Sequence, residues 1–384
     1  MPCVETTTMA SDFARGAIGR RDFLKYSAAL AGVAAAGNFV CMEYADAAPI
    51  KIPEVDKLSI RVLIDSSHDQ FLRPITVNGV LSQPPGNGRG RDYRQVLHNQ
   101  WGLSLFLESQ AADQQRRILL DFGYSPEALL NNIEILKVDP SKLDALIVSH
   151  GHYDHFGGLQ GFLAKYRSAL PENVKLYAGG EDNFCQRFAG PQNQLTEFGA
   201  LDRRELAAHR VGVVLAESPA LVAEHAFTSG KIKRRSKERI LPQTQVKFGI
   251  KDGLGCDASH YTSAELDGKI VPDEHVHEHA TSFHVKDRGL VVISSCGHVG
   301  IVNSVLQAQE VSGVKKVHAI VGGFHLGPAP KDYLKQVVEE IGELNPDVVI
   351  PMHCSGANFA RAVEEKFPEK LVTTTTGSLL TFGA

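Results

Sequence analysis

The 384-residue sequence has little net charge, no internal repeat and few cysteines. Forty Lys and Arg stand against 44 Asp and Glu, a formal charge of −4 with a pI near 6.5. That removes the overall basic field by which nucleic acid is attracted, so a nucleic-acid partner is not expected. No period of about 20 to 50 residues recurs, which argues against solenoids and propellers. Of six cysteines, Cys3 and Cys41 fall in a leader-like N-terminus, leaving Cys185, Cys256, Cys296 and Cys354. Four is an even number, so an oxidised pair is compatible with an oxidising compartment, but the spacing names no partners. Cys296 and Cys354 each lie beside a histidine of interest, so reduced thiols near a site are an equal alternative.

What is present is enough apolar residue, 43%, for a well-buried core. The stretch "GRRDFLKYSAALAGVAAAG" pairs Arg20 and Arg21 ahead of an alanine- and glycine-rich run. "YADAAP" then offers Ala45 and Ala47 in an A-x-A cleavage pattern. Residues 1–47 resemble a twin-arginine export signal, with Gly19 where Ser or Thr is more usual. The expectation is a periplasmic or otherwise exported protein that meets the twin-arginine translocase and keeps no stable membrane anchor. A membrane anchor is the alternative, since the apolar run Tyr26 to Met42 nearly spans a bilayer, although its hydrophobicity is weak. A lipoprotein site at Cys41 is disfavoured by the bulk of Val40.

Residues 48–384 read as one α/β (α+β) domain, because the motifs fall in one ordered series. "LSIRVLID", "GLSLFLES" and "RRILLDFG" predict strands, and "QPPGNGRGRDYR" predicts a loop. "SPEALLNNIEILKV" predicts a helix opening at Pro126, and "KLDALIVSH" a buried strand that ends at His150. An irregular insertion is expected at about 181–275. Its basic run, Lys231, Lys233, Arg234, Arg235, Lys237 and Arg239, reads as a solvated loop, with steering of an anionic substrate as the alternative. Apolar strands then return and deliver His298, His325 and His353 near their ends. Strand-rich segments at both ends with helices between predict two stacked sheets with helices outside.

"VSHGHYDHFGG" places His150, His152, Asp154 and His155 within six residues at a strand-to-loop junction. Neutral imidazole and carboxylate in that density suit zinc, iron or manganese. One cation takes His150 and His152, a second takes Asp154 and His155, and His298 and His353 are placed to complete the sets. Gly157 and Gly158 are read as letting the backbone turn tightly off this loop. "DEHVHEHATSFH" alternates His275, His277 and His279, which on a strand would share one face. The plain reading is a polar loop near the site, with an extra metal or a pocket lining as the alternative. His68 in "DSSHDQF" has similar status.

The H-x-H-x-D-H run resembles the signature of the metallo-β-lactamase-fold superfamily. "SHGHYDHFGGL", "CGHVGIVNSV", "GGFHLGP" and "PMHCSG" resemble its subgroup of 7,8-dihydropterin-6-yl-methyl-4-(β-D-ribofuranosyl)aminobenzene 5'-phosphate synthases, with weaker agreement at "WGLSLFLES" and "EHATSFHV". The resemblance implies a four-layer αββα sandwich with metals at one edge. It assigns His150, His152 and His298 to a first metal and Asp154, His155 and His353 to a second, with Asp121 orienting the loop. His325 stands where much of the superfamily has a bridging aspartate, so it is a possible ligand, a proton donor or a substrate contact.

One or two divalent ions, zinc first with iron or manganese possible, would activate a water to attack an ester-, lactone-, amide- or phosphoester-like bond of a small substrate. Asp154 would anchor a metal and accept the water proton, and His325 would protonate the leaving group. The alternatives are a pterin-transferring synthase and a non-catalytic metal- or ligand-binding protein. The oligomeric state is left open.

Overall fold

A computed structural model of the chain describes residues 42–44, 50–86, 92–191, 193–241, 244–257, 261–267 and 269–383. The Arg20–Arg21 pair, nearly all of the apolar run that follows it, and the Ala45-x-Ala47 motif lie outside these residues.

Alternation along the strands builds the architecture. In strand Ala145–Val148, Ala145 and Ile147 enter one apolar cluster while Leu146 and Val148 enter another. Strand Gln114–Leu120 splits the same way, with Ile118 and Leu120 against Leu119. On the other sheet, Gly289–Ser294 sends Val291 and Ile293 to the first cluster and Leu290 and Val292 to a third. Period-two side chains on a strand buried on both faces require a core on each side. The shared cluster lies between the sheets, and the other two seat helices. Ala128, Leu129 and Ile133 of helix Pro126–Ile135 pack on the first sheet. Val305 of Ile301–Ser312, Val337 of Lys331–Leu344 and Phe359 of Gly356–Lys366 pack on the second. The result is a four-layer αββα sandwich of the metallo-β-lactamase type.

The first sheet runs Met42–Tyr44, Gly212–Leu215, Lys175–Ala178, Ala145–Val148, Gln114–Leu120, Ser104–Ala111, Lys57–Ile64, Leu379–Phe382, Val80–Gln83, Ile75–Val77. The second runs Leu221–Val222, Ala226–Thr228, Thr281–Val285, Gly289–Ser294, Val317–Gly322, Val348–Pro351, with Glu54–Val55 beside Thr281–Val285. Gly289–Ser294, Val317–Gly322 and Val348–Pro351 are parallel, so their C-terminal ends share one edge. His298, His325 and His353 follow those ends, and His150 follows the end of Ala145–Val148.

Among the described residues of 181–275, Thr196–Glu197, Gln186–Ala189, Thr244–Lys247 and Ile270–Pro272 form a four-stranded antiparallel sheet, and Gly212–Leu215 joins the main sheet. Strands of two to four residues carry too little alternation to stand out in sequence. Cys185 and Cys256 are bridged by a disulfide within this segment, which resolves the open pairing. Met42–Tyr44, inside the stretch read as a signal, pairs in parallel with Gly212–Leu215. Cleavage after Ala47 would leave Gly212–Leu215 as the sheet edge. No helix among the described residues is long and apolar enough to cross a membrane.

Ile60 is fully buried in the cluster between the sheets. Ile60→Ala is expected to destabilise the fold by about 2–5 kcal/mol in urea unfolding, because the two sheets cannot collapse onto the gap.

Candidate metal centre

Asp121, at the end of its strand, is buried and holds a left-handed backbone, φ 58°. Its Oδ1 accepts from the Ser149 amide at 2.8 Å, and Oδ2 accepts from Ser149 Oγ at 2.7 Å. Oδ2 also lies 2.8 Å from His155 Nδ1. A carboxylate there accepts a hydrogen bond from the Nδ1–H, leaving the lone pair of His155 on Nε2. The Ser149 hydroxyl, already donating to Asp121, accepts from His150 Nδ1 at 3.0 Å, which leaves His150 Nε2 as its donor atom. On His152 the pattern is reversed. Nε2 meets Thr244 Oγ1 at 2.9 Å, and that hydroxyl donates to Asp273 Oδ2 at 3.1 Å, freeing His152 Nδ1.

Gly157 and Gly158 have ordinary helical dihedrals, so a tight turn is not their role. A Cβ on Gly157 would stand 2.1 Å from the Tyr124 carbonyl oxygen, and one on Gly158 2.2 Å from that of Phe122. Close approach of the metal loop to the segment after Asp121 is what requires them.

Ligand atoms of His150, His152 and His298 lie within 4.8 Å of one another. Asp154 Oδ2 stands 3.3 Å from His353 Nε2 and 3.8 Å from His155 Nε2. The chain therefore brings together both expected sets. The His298 loop is fixed by Glu278, whose Oε2 accepts from the Val299 amide at 2.8 Å. His353 is placed by its own amide, which donates to Asp65 Oδ1 at 2.7 Å. His325 is half-buried, with its ring centroid 4.3 Å from that of His298 and Nδ1 3.4 Å from Cys296 Sγ.

Burial first, and then the neighbouring imidazoles, hold His150 and His298 well below the usual histidine range. They are therefore neutral, as ligands must be. Around Asp154 the balance differs. Burial alone would raise its pKa, but His155 and His353 outweigh that and hold the carboxyl below its ordinary value. Burial opposes charge on His353 too, yet Cys354 and Asp154 push it up to about 10. Meanwhile His150 Nε2, His155 Nε2 and both nitrogens of His298 are buried without a hydrogen-bond partner. Each such group costs about 1–3 kcal/mol unless something binds it. A divalent cation is a partner of that chemistry, so the residues fit a metal site.

The histidine-rich "DEHVHEH" segment is a turn rather than a strand, and its side chains do not share a face. His279 Nε2 donates to the Val148 carbonyl at 2.9 Å, clamping the strand before His150. His277 Nδ1 accepts from the Asp182 amide at 3.2 Å. His275 is different. It is buried, both its ring nitrogens lack a hydrogen bond, Nδ1 lies 3.7 Å from Asp273 Oδ1, and the ring stacks on His298 at 3.9 Å. In the sequence its one signal is membership of the dense histidine run. His68 is half-buried in the loop after Lys57–Ile64. In the basic run, Lys233 and Arg235 pair with Glu310, while buried Glu238 accepts from the Ile301 amide at 2.9 Å and caps that helix. Arg239 lies over the Tyr333 ring at 5.2 Å, and both line a cleft with His298 and His325.

The Metallo-beta-lactamase superfamily model matches residues 103–232. The chain is 28% identical over 295 residues to the 7,8-dihydropterin-6-methyl-4-(beta-D-ribofuranosyl)-aminobenzene-5'-phosphate synthase of Methanocaldococcus jannaschii, covering 76% of this chain and 92% of that protein. It is 26% identical to a second protein of the same organism, over 67% of this chain and 84% of that one. A solved metal-dependent hydrolase of the beta-lactamase superfamily superposes with a TM-score of 0.61 at 22% identity, covering 85% of this chain and 99% of that one. That likeness speaks to the fold.

Asp121→Asn replaces one acceptor oxygen with a donor and is expected to weaken metal binding about 10- to 100-fold while the protein stays folded. Competition with a chromophoric chelator measures the loss. Because His353 carries a proton at neutral pH, metal uptake is expected to release protons. Titration calorimetry in buffers of different ionisation enthalpy would read that release.

Proposed function

We propose that the chain is a metal-dependent hydrolase acting on an ester-, lactone-, amide- or phosphoester-like bond of a small, anionic substrate. The observation that carries this reading is the set of buried, partnerless imidazole nitrogens converging beside Asp154 at one sheet edge. One or two divalent cations, with zinc, iron and manganese all suited to these donors, supply Lewis acidity and a water that ionises near neutral pH.

The chain's own groups supply the rest. Asp154, held in its charged form, can accept a proton from a water beside it. His325 stands half-buried at the opening of the cluster, where it can return a proton to a leaving oxygen or nitrogen. Arg239, exposed and lying over Tyr333 in the adjoining cleft, offers a cation to an anionic substituent. Trp101, more than half exposed, lies 4.7 Å from the His353 ring and gives an apolar portion of the substrate a flat surface.

A second reading is transfer of a pterin methyl group to an aromatic acceptor with departure of diphosphate. Similarity to the curated synthase over 92% of its length favours it. We also propose export through the twin-arginine route. The Arg20–Arg21 motif supports this, as does the Cys185–Cys256 disulfide, since such bonds persist in oxidising compartments.

A screen of the metal-loaded protein against esters, lactones, amides, phosphodiesters and a pterin diphosphate with its acceptor tests the reading. Hydrolysis is expected, with Asp154→Asn and His325→Ala each lowering kcat by about 100-fold or more. Turnover only with the pterin diphosphate would shift the conclusion to transfer. Metal retained without turnover on any substrate would make it a binding protein. Lysines at positions 20 and 21 are expected to hold the protein in the cytoplasmic fraction.

A further inference from the structure

We propose that Cys296 supplies a thiolate donor between the two metal-ligand sets, occupying the anionic role that His325 cannot fill. This rests on the reading that the site holds divalent cations. Cys296 follows strand Gly289–Ser294 and is 2% exposed. Its sulfur lies within 4.8 Å of ligand atoms of His150 and His155, which come from different sets. The same sulfur lies within that distance of His298 and His325, and of His353 and Cys354. It is thus the common member of three trios that take in His150, His155, His298, His325 and His353. The nitrogens around it, His150 Nε2, His155 Nε2 and both of His298, are buried without a hydrogen-bond partner.

The neighbouring thiol is engaged differently. Cys354 Sγ accepts the His325 amide at 3.2 Å and reaches the Cys296 carbonyl at 3.5 Å, so backbone groups hold it. Cys296 Sγ meets only side chains, Cys354 Sγ at 3.1 Å and His325 Nδ1 at 3.4 Å. Cys185 and Cys256 are joined to each other. Cys296 is therefore the sulfur placed among both ligand sets, and Cys354 and His325 position it. On binding, a metal–sulfur bond forms and the thiol proton leaves to solvent, so no oxidant or reductant is needed. A sulfur ligand also biases the site toward softer ions such as zinc over manganese.

The test is reconstitution of the full-length protein with cobalt(II) under argon without added thiol, reading metal content and the near-ultraviolet sulfur-to-cobalt charge-transfer band. The band is expected in the wild type and in Cys354→Ser, and absent in Cys296→Ser. Cobalt affinity in Cys296→Ser is expected to fall by at least the roughly 100-fold that an outer orienting residue commands. Bound cobalt with ligand-field bands but no sulfur band in the wild type would overturn the proposal and leave the metal reading standing. Loss of the band in Cys354→Ser alone would overturn it in favour of the other thiol. Failure of the wild type to take up cobalt would overturn the metal reading and this proposal together. The wild-type spectrum decides the point even if Cys296→Ser does not fold.

Discussion

The Asp121 carboxylate is the interaction on which the site depends. It is buried in a left-handed conformation, a strain of order 1–3 kcal/mol that its surroundings must sustain. With it, the carboxylate fixes the Ser149 backbone and hydroxyl and one nitrogen of His155, and through Ser149 it reaches His150. A single anion thus decides which nitrogen of two imidazoles remains open. His275, His325 and His353 are likewise left-handed, with φ of 47–50°. Each of these four side chains depends on a backbone conformation that the surrounding packing must hold.

The insertion acts on the site from the opposite side. Arg187, fully buried, donates to Asp273 Oδ2 at 2.6 Å and to the Gly151 carbonyl at 3.1 Å. Asp273 receives the Thr244 hydroxyl, and Thr244 receives His152. This chain of bonds sets the tautomer of His152 opposite to that of His150. It also explains the glycine between them, since a Cβ on Gly151 would stand 2.2 Å from the Arg187 guanidinium. The disulfide and the Arg203–Glu181 pair tie the same segment together. The segment therefore supports the first ligand set, and Gly212–Leu215 joins it to the main sheet.

Desolvation links the fold to the chemistry. Two apolar sheet faces and a cover of polar side chains exclude water from the imidazoles, and burial then keeps His150 and His298 neutral. Asp154 resists the same burial because His155 and His353 flank it. Neutral donors on one side and an ionised carboxylate on the other are the two kinds of ligand that a pair of divalent cations needs.

Much of this was legible in the residues. Continuous apolar runs in "KLDALIVSH" and "GLVVISSCGH" read as strands, and His150, His152, Asp154 and His155 were visible because four donors fall within one short loop. His298 and His353 were legible as histidines at strand ends. His275 was not, because its place against His298 depends on how the insertion folds back rather than on any spacing. Nor was the pairing of Cys185 with Cys256, or the nearness of Cys296 to Cys354, since positions 58 and 71 residues apart meet only through tertiary packing. Sequence by itself determined where the strands run and which dense histidine and aspartate loop could bind metal, because both follow from local composition and spacing. The tertiary structure alone decided which nitrogen of each histidine is free and which sulfur faces the cluster, because those choices belong to hydrogen-bond partners drawn from distant segments.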